Sequence, residues 1–242
     1  MKKALFCAAL ALISLSACRN DTTSATTIQE VGDLATQNTN DDLAIKKYMD
    51  EHYLDSQGNI RAFSSTSTED DQYAKLSDLN PQTLPSGVVV IVREGAQPNP
   101  GKEIGSTDVL RLMHYTNTFL SQNDSDGVKY TSEFTFANTM TSTGSPVVDP
   151  AFYYVKNTVM ATSGYGRSYY EIEGFQEGLK YFKSFEQDDQ TNYNLQGVII
   201  VPSRAAFARD SHYLYAGYSW RNRTFVFNFQ VYKSTTRSAE EQ

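Results

Sequence analysis

The chain has 242 residues, 40% of them hydrophobic and 12% aromatic, with a formal net charge of −7. That is enough apolar material for the core of one ordinary domain with appendages. An acidic balance with scattered Lys and Arg excludes a nucleic-acid binder, because phosphate recognition needs a basic patch.

Residues 1–17 read as a secretory signal: Lys2 and Lys3, an apolar run from Ala4 to Ile13, then Leu15-Ser16-Ala17-Cys18. The run is too short for a stop-transfer helix. Leu-Ser-Ala-Cys resembles the lipobox of bacterial lipoproteins, which implies cleavage before Cys18, lipid on that residue, and attachment to a cell-envelope membrane, at the outer membrane or a periplasmic face. Cleavage removes two lysines and no acid, taking the formal charge from −7 to −9. Cys7 leaves as well, so Cys18 is the only remaining cysteine, which excludes an internal disulfide, a Cys-x-x-Cys redox site and a cysteine-rich zinc site.

Residues 18–40 are Thr, Ser, Asn, Asp and Gln with few large apolar side chains, the composition of a disordered tether. Asp41 and Asp42 offer N-cap chemistry for a short helix ended by Gly58, with Ile45, Tyr48, Met49, His52 and Tyr53 on one face. Docking without chemistry is the reading for this helix. Ser64–Pro85 is polar again, so 41–85 is assigned to helix and linker, and the main domain to 86–234.

In that domain Val88–Val92 is a β-branched run, the pattern of a strand buried on both faces. Thr107–Leu120 and Tyr130–Phe136 read as two further strands joined through the turn Asp124-Ser125-Asp126-Gly127. Residues 139–168, rich in Thr, Ser and Gly, read as an insertion around Phe152-Tyr153-Tyr154-Val155. A helix is predicted from Gly174 to about Phe185, with Phe175, Leu179 and Phe182 on one face and Gly178 permitting close approach to the sheet. Gly197–Val201 is a strand stopped by Pro202, and the final strand sets Phe225, Phe227, Phe229 and Val231 on one face, over the helix. Residues 235–242 are a polar, disordered tail.

Taken in order, these segments resemble the FKBP-type peptidyl-prolyl cis/trans isomerases. The resemblance rests on Ser86-Gly87 before the first strand, Glu94-Gly95 with Pro98 and Pro100 after it, and Met113-His114-Tyr115-Thr116. It continues in Ile172-Glu173-Gly174-Phe175-Gln176-Glu177-Gly178-Leu179, in Ile200-Val201-Pro202-Ser203 followed by Ala205-Ala206-Phe207, and in Thr224–Phe229. It covers Ser86 to Tyr232 and implies an α+β fold, an antiparallel half-barrel sheet wrapped around one short helix, here preceded by the N-terminal helix and tether.

The resemblance also implies a proline pocket formed by Tyr115, Tyr130, Ile172, Phe175, Phe207 and Phe227, with Phe175 as its floor and a backbone N–H near Ile172 holding the carbonyl of a bound peptide. Taken singly, each of these residues also reads as plain core. No cofactor or metal is implied, since twisting an X-Pro amide needs no acid, base or nucleophile: a desolvating pocket favours the twisted amide over the hydrated planar one. The sequence departs from the family at Thr131, where an aspartate is usual, at Phe175 for tryptophan, at Phe207 for tyrosine, and at Trp220-Arg221 for two prolines.

The expected function is a lipid-anchored isomerase acting on proline-containing polypeptides of the envelope. The alternative is a non-catalytic FKBP-like peptide-binding or chaperone lipoprotein. The three histidines, His52, His114 and His212, lie far apart without metal-ligand spacing, and Gly164-Tyr165-Gly166 lacks the rest of a dinucleotide loop.

Overall fold

The computed structural model describes residues 32–242. The signal, Cys18 and most of the assigned tether lie outside them. In chain order the elements are helix α1 (Leu34–Glu51), strands β1 (His52–Leu54), β2 (Ile60–Ala62), β3 (Gln82–Thr83), β4 (Val89–Val92), β5 (Lys102–Glu103), β6 (Val109–Asp124) and β7 (Gly127–Asn138), helix α2 (Thr139–Ser142), strand β8 (Val147–Val148), helices α3 (Asn157–Ser163) and α4 (Glu173–Leu179), and strands β9 (Lys183–Ser184), β10 (Gly197–Val201) and β11 (Arg223–Thr235). A mixed antiparallel architecture results, with the main sheet ordered β3-β4-β10-β11-β6-β7 and β8 beside β6.

Both faces of this sheet are covered, as the unbroken apolar run at Val88–Val92 predicts. One face carries Val88, Val90, Ile199, Val201, Phe225, Phe227, Phe229 and Val231 against Phe175 and Leu179 of α4. The other carries Val89, Ile91, Phe119, Val198, Ile200 and Val226 against Ala44, Ile45, Tyr48 and Met49 of α1. Alternation along each strand divides its residues between the two layers. Gly178 is the close approach predicted for it: an added Cβ would stand 2.7 Å from Ile199 Cγ2.

The N-terminal boundaries differ from the sequence reading. α1 starts at Leu34, inside the segment assigned to the tether, capped by Asp33, whose Oδ1 accepts from Thr36 N at 2.8 Å. Asp41 is not a cap but a fully buried mid-helix residue. Its carboxylate accepts from Ser203 N (2.9 Å), Ser203 Oγ (2.5 Å) and Gln37 Nε2 (2.9 Å). Burial raises its pKa, and these hydrogen bonds oppose the rise. The helix ends at Glu51, so His52 and Tyr53 belong to the β1–β2 hairpin, and Gly58 takes a left-handed φ of +85° in its turn.

The linker assigned before residue 86 is also part of the folded body. Leu76 is fully buried in the α1-side core, and β3 pairs with β4 across the assigned boundary. At the other end β11 runs on to Thr235, and Arg237 is nearly fully buried, ion-paired with Asp149 and stacked over the Tyr154 ring. That anchors the start of the segment assigned to a disordered tail. α4 is shorter than predicted: after Leu179 the chain turns, Tyr181 and Phe182 donate to Gly178 and Leu179 carbonyls, and Lys183 enters a two-residue strand with β5. Among the described residues no helix is long and apolar enough to cross a membrane.

Candidate functional site

The concave face around α4 gathers four of the six residues named for a proline pocket. Ile172 and Phe175 lie at the start of α4, Phe227 on β11, and Phe207 on the turn after β10; all four are buried in one cluster. The Phe175 and Phe227 rings stack with centroids 4.3 Å apart, and Phe207 reaches Phe225 at 6.0 Å. These positions follow from β11 parity and from the α4 stripe.

Tyr115 and Tyr130 lie on the opposite face. In the β6–β11 register Tyr115 stands beside Asn228 and Asn117 beside Val226, and Val226 belongs to the α1-side core. Strand parity therefore puts Tyr115 under α1 and sends its neighbours His114 and Thr116 toward α4. Tyr130 packs on Tyr48 and Phe119, and its hydroxyl donates to Glu51 Oε2 at 2.6 Å. Tyr130 thus supports the docking of α1, the Tyr115 hydroxyl instead pairs with Thr135 Oγ1 on β7 at 3.1 Å, and the sheet separates both tyrosines from the α4 cage.

Their places in the cage are taken by residues the sequence reading passed over. His114 is fully buried, its Nδ1 2.7 Å from Thr116 Oγ1 and its pKa pushed down to about 3 by burial, so the ring is neutral. Phe136 from β7 meets Phe225 at 5.2 Å and Trp220 at 5.0 Å. Phe152, from the segment read as an insertion, has its ring 5.5 Å from His114 and Phe136 and 5.7 Å from Phe175 and Phe227. The run Phe152–Val155 was the available signal: four successive large apolar residues in an otherwise polar stretch mark a buried strap.

Phe152 fills the cage with both its side chain and its backbone. The Ile172 N–H, the group assigned to hold a peptide carbonyl, donates to the Phe152 carbonyl at 2.8 Å. The strap is held at several further points. Tyr153 Oη donates to Gly105 O at 2.6 Å, Gln176 Nε2 to Tyr153 O at 2.5 Å, and Val155 N to Glu171 Oε1 at 2.8 Å. Arg167 bonds Val155 O and Glu171, and Arg167 and Arg237 both stack over the Tyr154 ring.

Around this filled cage the surface is unusually aromatic. The loop between Phe207 and β11 is tied to the turn before α4 by Tyr213 N donating to Tyr169 O at 2.7 Å and by Tyr215 Oη donating to Tyr170 O at 2.6 Å. His212 fixes the loop: its Nδ1 faces Asp210 O at 2.8 Å and its Nε2 accepts from Trp220 N at 2.7 Å, which assigns the proton to Nδ1. A cleft of about 290 Å³ lies here, lined by Tyr165, Tyr169, Arg209, Leu214 and Arg221 among others.

No family model matches this chain, and no curated protein is similar to it. Among solved structures it is similar to the crystal structure of FkpA from Escherichia coli, at 23% sequence identity and a TM-score of 0.36, over 64% of this chain and 51% of that one. The chain thus spans about half the length of that protein.

Proposed function

We propose that this chain is a lipid-anchored, FKBP-like polypeptide-binding module of the cell envelope whose proline site is filled by its own Phe152, so that it binds clients without turning over X-Pro bonds. One observation carries the reading: a single residue takes both the Ile172 N–H and the aromatic floor. Catalysis of X-Pro rotation by such a site needs the peptide carbonyl held while the proline ring is desolvated against the floor. A peptide could meet neither requirement without displacing a strap anchored by Tyr153, Val155 and Gln176. The order of sequence motifs from Ser86 to Tyr232 supports the FKBP-like assignment, and Leu15-Ser16-Ala17-Cys18 supports anchoring.

The isomerase reading keeps a specific observation in its favour. Ile172, Phe175, Phe207 and Phe227 do converge on one cage, which would be the right shape for proline if Phe152 left it. Exchange NMR on a proline peptide, with the full lipid-bearing protein, separates the two. Exchange no faster than in buffer is expected; cis/trans exchange accelerated by catalytic amounts of protein overturns the binding-only reading and installs the enzyme.

A further inference from the structure

The tyrosine-rimmed cleft beside the filled cage is unexplained by anything inside the fold. Tyr165 and Tyr169 stack face to face at 3.8 Å with only 8° between their planes, and Tyr165 is 50% exposed. Across the cleft Leu214 is 52% exposed. The exposed rings continue past Ser219 to Tyr218 and Phe134, which meet at 4.8 Å. Large apolar groups left in water side by side mark a surface built to meet something.

Three features point to what it meets. The first is where the described chain begins: Arg209, a residue of the cleft, donates through Nη2 to Gly32 O at 3.0 Å, so the N-terminal segment leaves from this rim. Gly32 is only 14 residues after Cys18, a reach of at most about 50 Å when fully extended. The second is side-chain type. Tyrosine with leucine suits the boundary between headgroups and acyl chains, where a ring can lie in the apolar layer with its hydroxyl in water. The third is charge: in a chain of net −7, this cleft is lined by Arg209 and Arg221 against one carboxylate, Asp210.

We infer that this rim is a membrane-apposed surface, in which Tyr165, Leu214 and Tyr218 enter the interface of an anionic bilayer with Arg209 and Arg221 at headgroup level. The inference rests on the proposed anchoring through Cys18. Acyl chains on Cys18 would hold the chain at the membrane, and an interfacial patch beside the tether adds buried apolar area to that anchor. It would also hold the domain in one orientation, with the start of α1 at the membrane side.

Trp220 makes this testable, because it is the only tryptophan and lies buried beneath the rim, 5.9 Å from Phe134 and 6.2 Å from Tyr218. The lipid-bearing protein is reconstituted into phosphatidylethanolamine–phosphatidylglycerol vesicles with or without headgroup-nitroxide lipid, and its emission is compared after flotation. The expected result is quenching of Trp220 by the nitroxide, weakened at high salt and lost in Leu214→Ser/Tyr218→Ser, whose circular dichroism stays that of wild type. Protein that floats without quenching overturns the membrane-apposed surface and leaves anchoring intact. Protein that does not float removes the anchoring reading, and this one with it. If quenching is absent and a soluble unfolded polypeptide shifts Trp220 emission instead, the rim is a client surface and the proposal fails.

Discussion

Replacing Phe152 by alanine tests the filled cage most directly. The ring is surrounded by His114, Phe136, Phe175 and Phe227 at 5.5 to 5.7 Å and by Tyr215 at 6.5 Å, so little in the cage can collapse into its place. Core Phe→Ala changes cost about 3–5 kcal/mol, and packing among rings rather than flexible aliphatics argues for about 4 kcal/mol. Urea unfolding followed by Trp220 emission should show that loss with the denaturant slope unchanged. The vacated cage is apolar and should take a benzene-sized ligand, which raises stability with ligand concentration by mass action. Isomerase activity should nevertheless remain absent. The backbone at 152 is unaltered, its carbonyl still holds the Ile172 N–H, and the strap keeps its bonds from Tyr153 and to Glu171. A loss below about 1 kcal/mol would mean that the ring is not a packed part of the core. Acceleration of proline exchange in this variant would mean that the strap leaves readily, refuting the reasoning from its anchorage.

Other changes probe the two covered faces. Asp41→Ala strips Ser203 N, Ser203 Oγ and Gln37 Nε2 of their common buried acceptor and should lower stability by about 2–4 kcal/mol in the same assay, with hydrogen exchange of α1 amides rising first. Gly178→Ala would gain up to about 1 kcal/mol of helix propensity. The contact with Ile199 at 2.7 Å should reverse that, leaving a net loss of about 1–2 kcal/mol measured by urea unfolding. Burial lowers the pKa of His52, His114 and His212, so the unfolded chain binds more protons once pH falls below about 6.5; His114, pushed down to about 3, should take stability down by about 1.4 kcal/mol per pH unit toward pH 3, with His52 and His212 acting in the same sense. Asp41, with its pKa raised, works in the opposite sense as it takes up its proton. A His114 ring signal titrating near pH 6.5 by NMR would contradict the neutral, buried assignment.

The strands and α4 were legible because their signals are periodic and apolar. Val88–Val92, the β6–β7 turn at Asp124–Gly127, and the Phe225/Phe227/Phe229 alternation each describe a local environment that the fold reproduces. α1 was half legible. Ile45, Tyr48 and Met49 carry its apolar stripe, but its first two turns are fastened through Asp41, a buried carboxylate bonded to Gln37 one turn back and to Ser203 162 positions away, and composition reads such residues as solvated. The site was legible where a residue's face follows from strand or helix period, as for Phe175 and Phe227. It failed at Tyr115 and Tyr130 because motif matching is silent about parity, and a shift of one residue exchanges the faces of a sheet. Phe152 was missed because the apolar run Phe152–Val155 marks a buried strap but does not say which cavity the strap fills.

The clamp between Asp41 and Ser203 joins residues 162 apart, and the bond from the Asn228 side chain to Gly58 O joins residues 170 apart. Contacts of such sequence separation form only after a very long loop has closed, which places this chain among slow folders. Until β10 and β11 have emerged from synthesis, Ile45, Tyr48 and Met49 can meet only the part of their surface that β4, β6 and β7 supply, and α1 has no anchor for the Asp41 carboxylate. The first of the described elements to be made is therefore fully secured only when the last strand is in place, and a nascent chain that lacks its final fifty residues should be held by chaperones rather than folded.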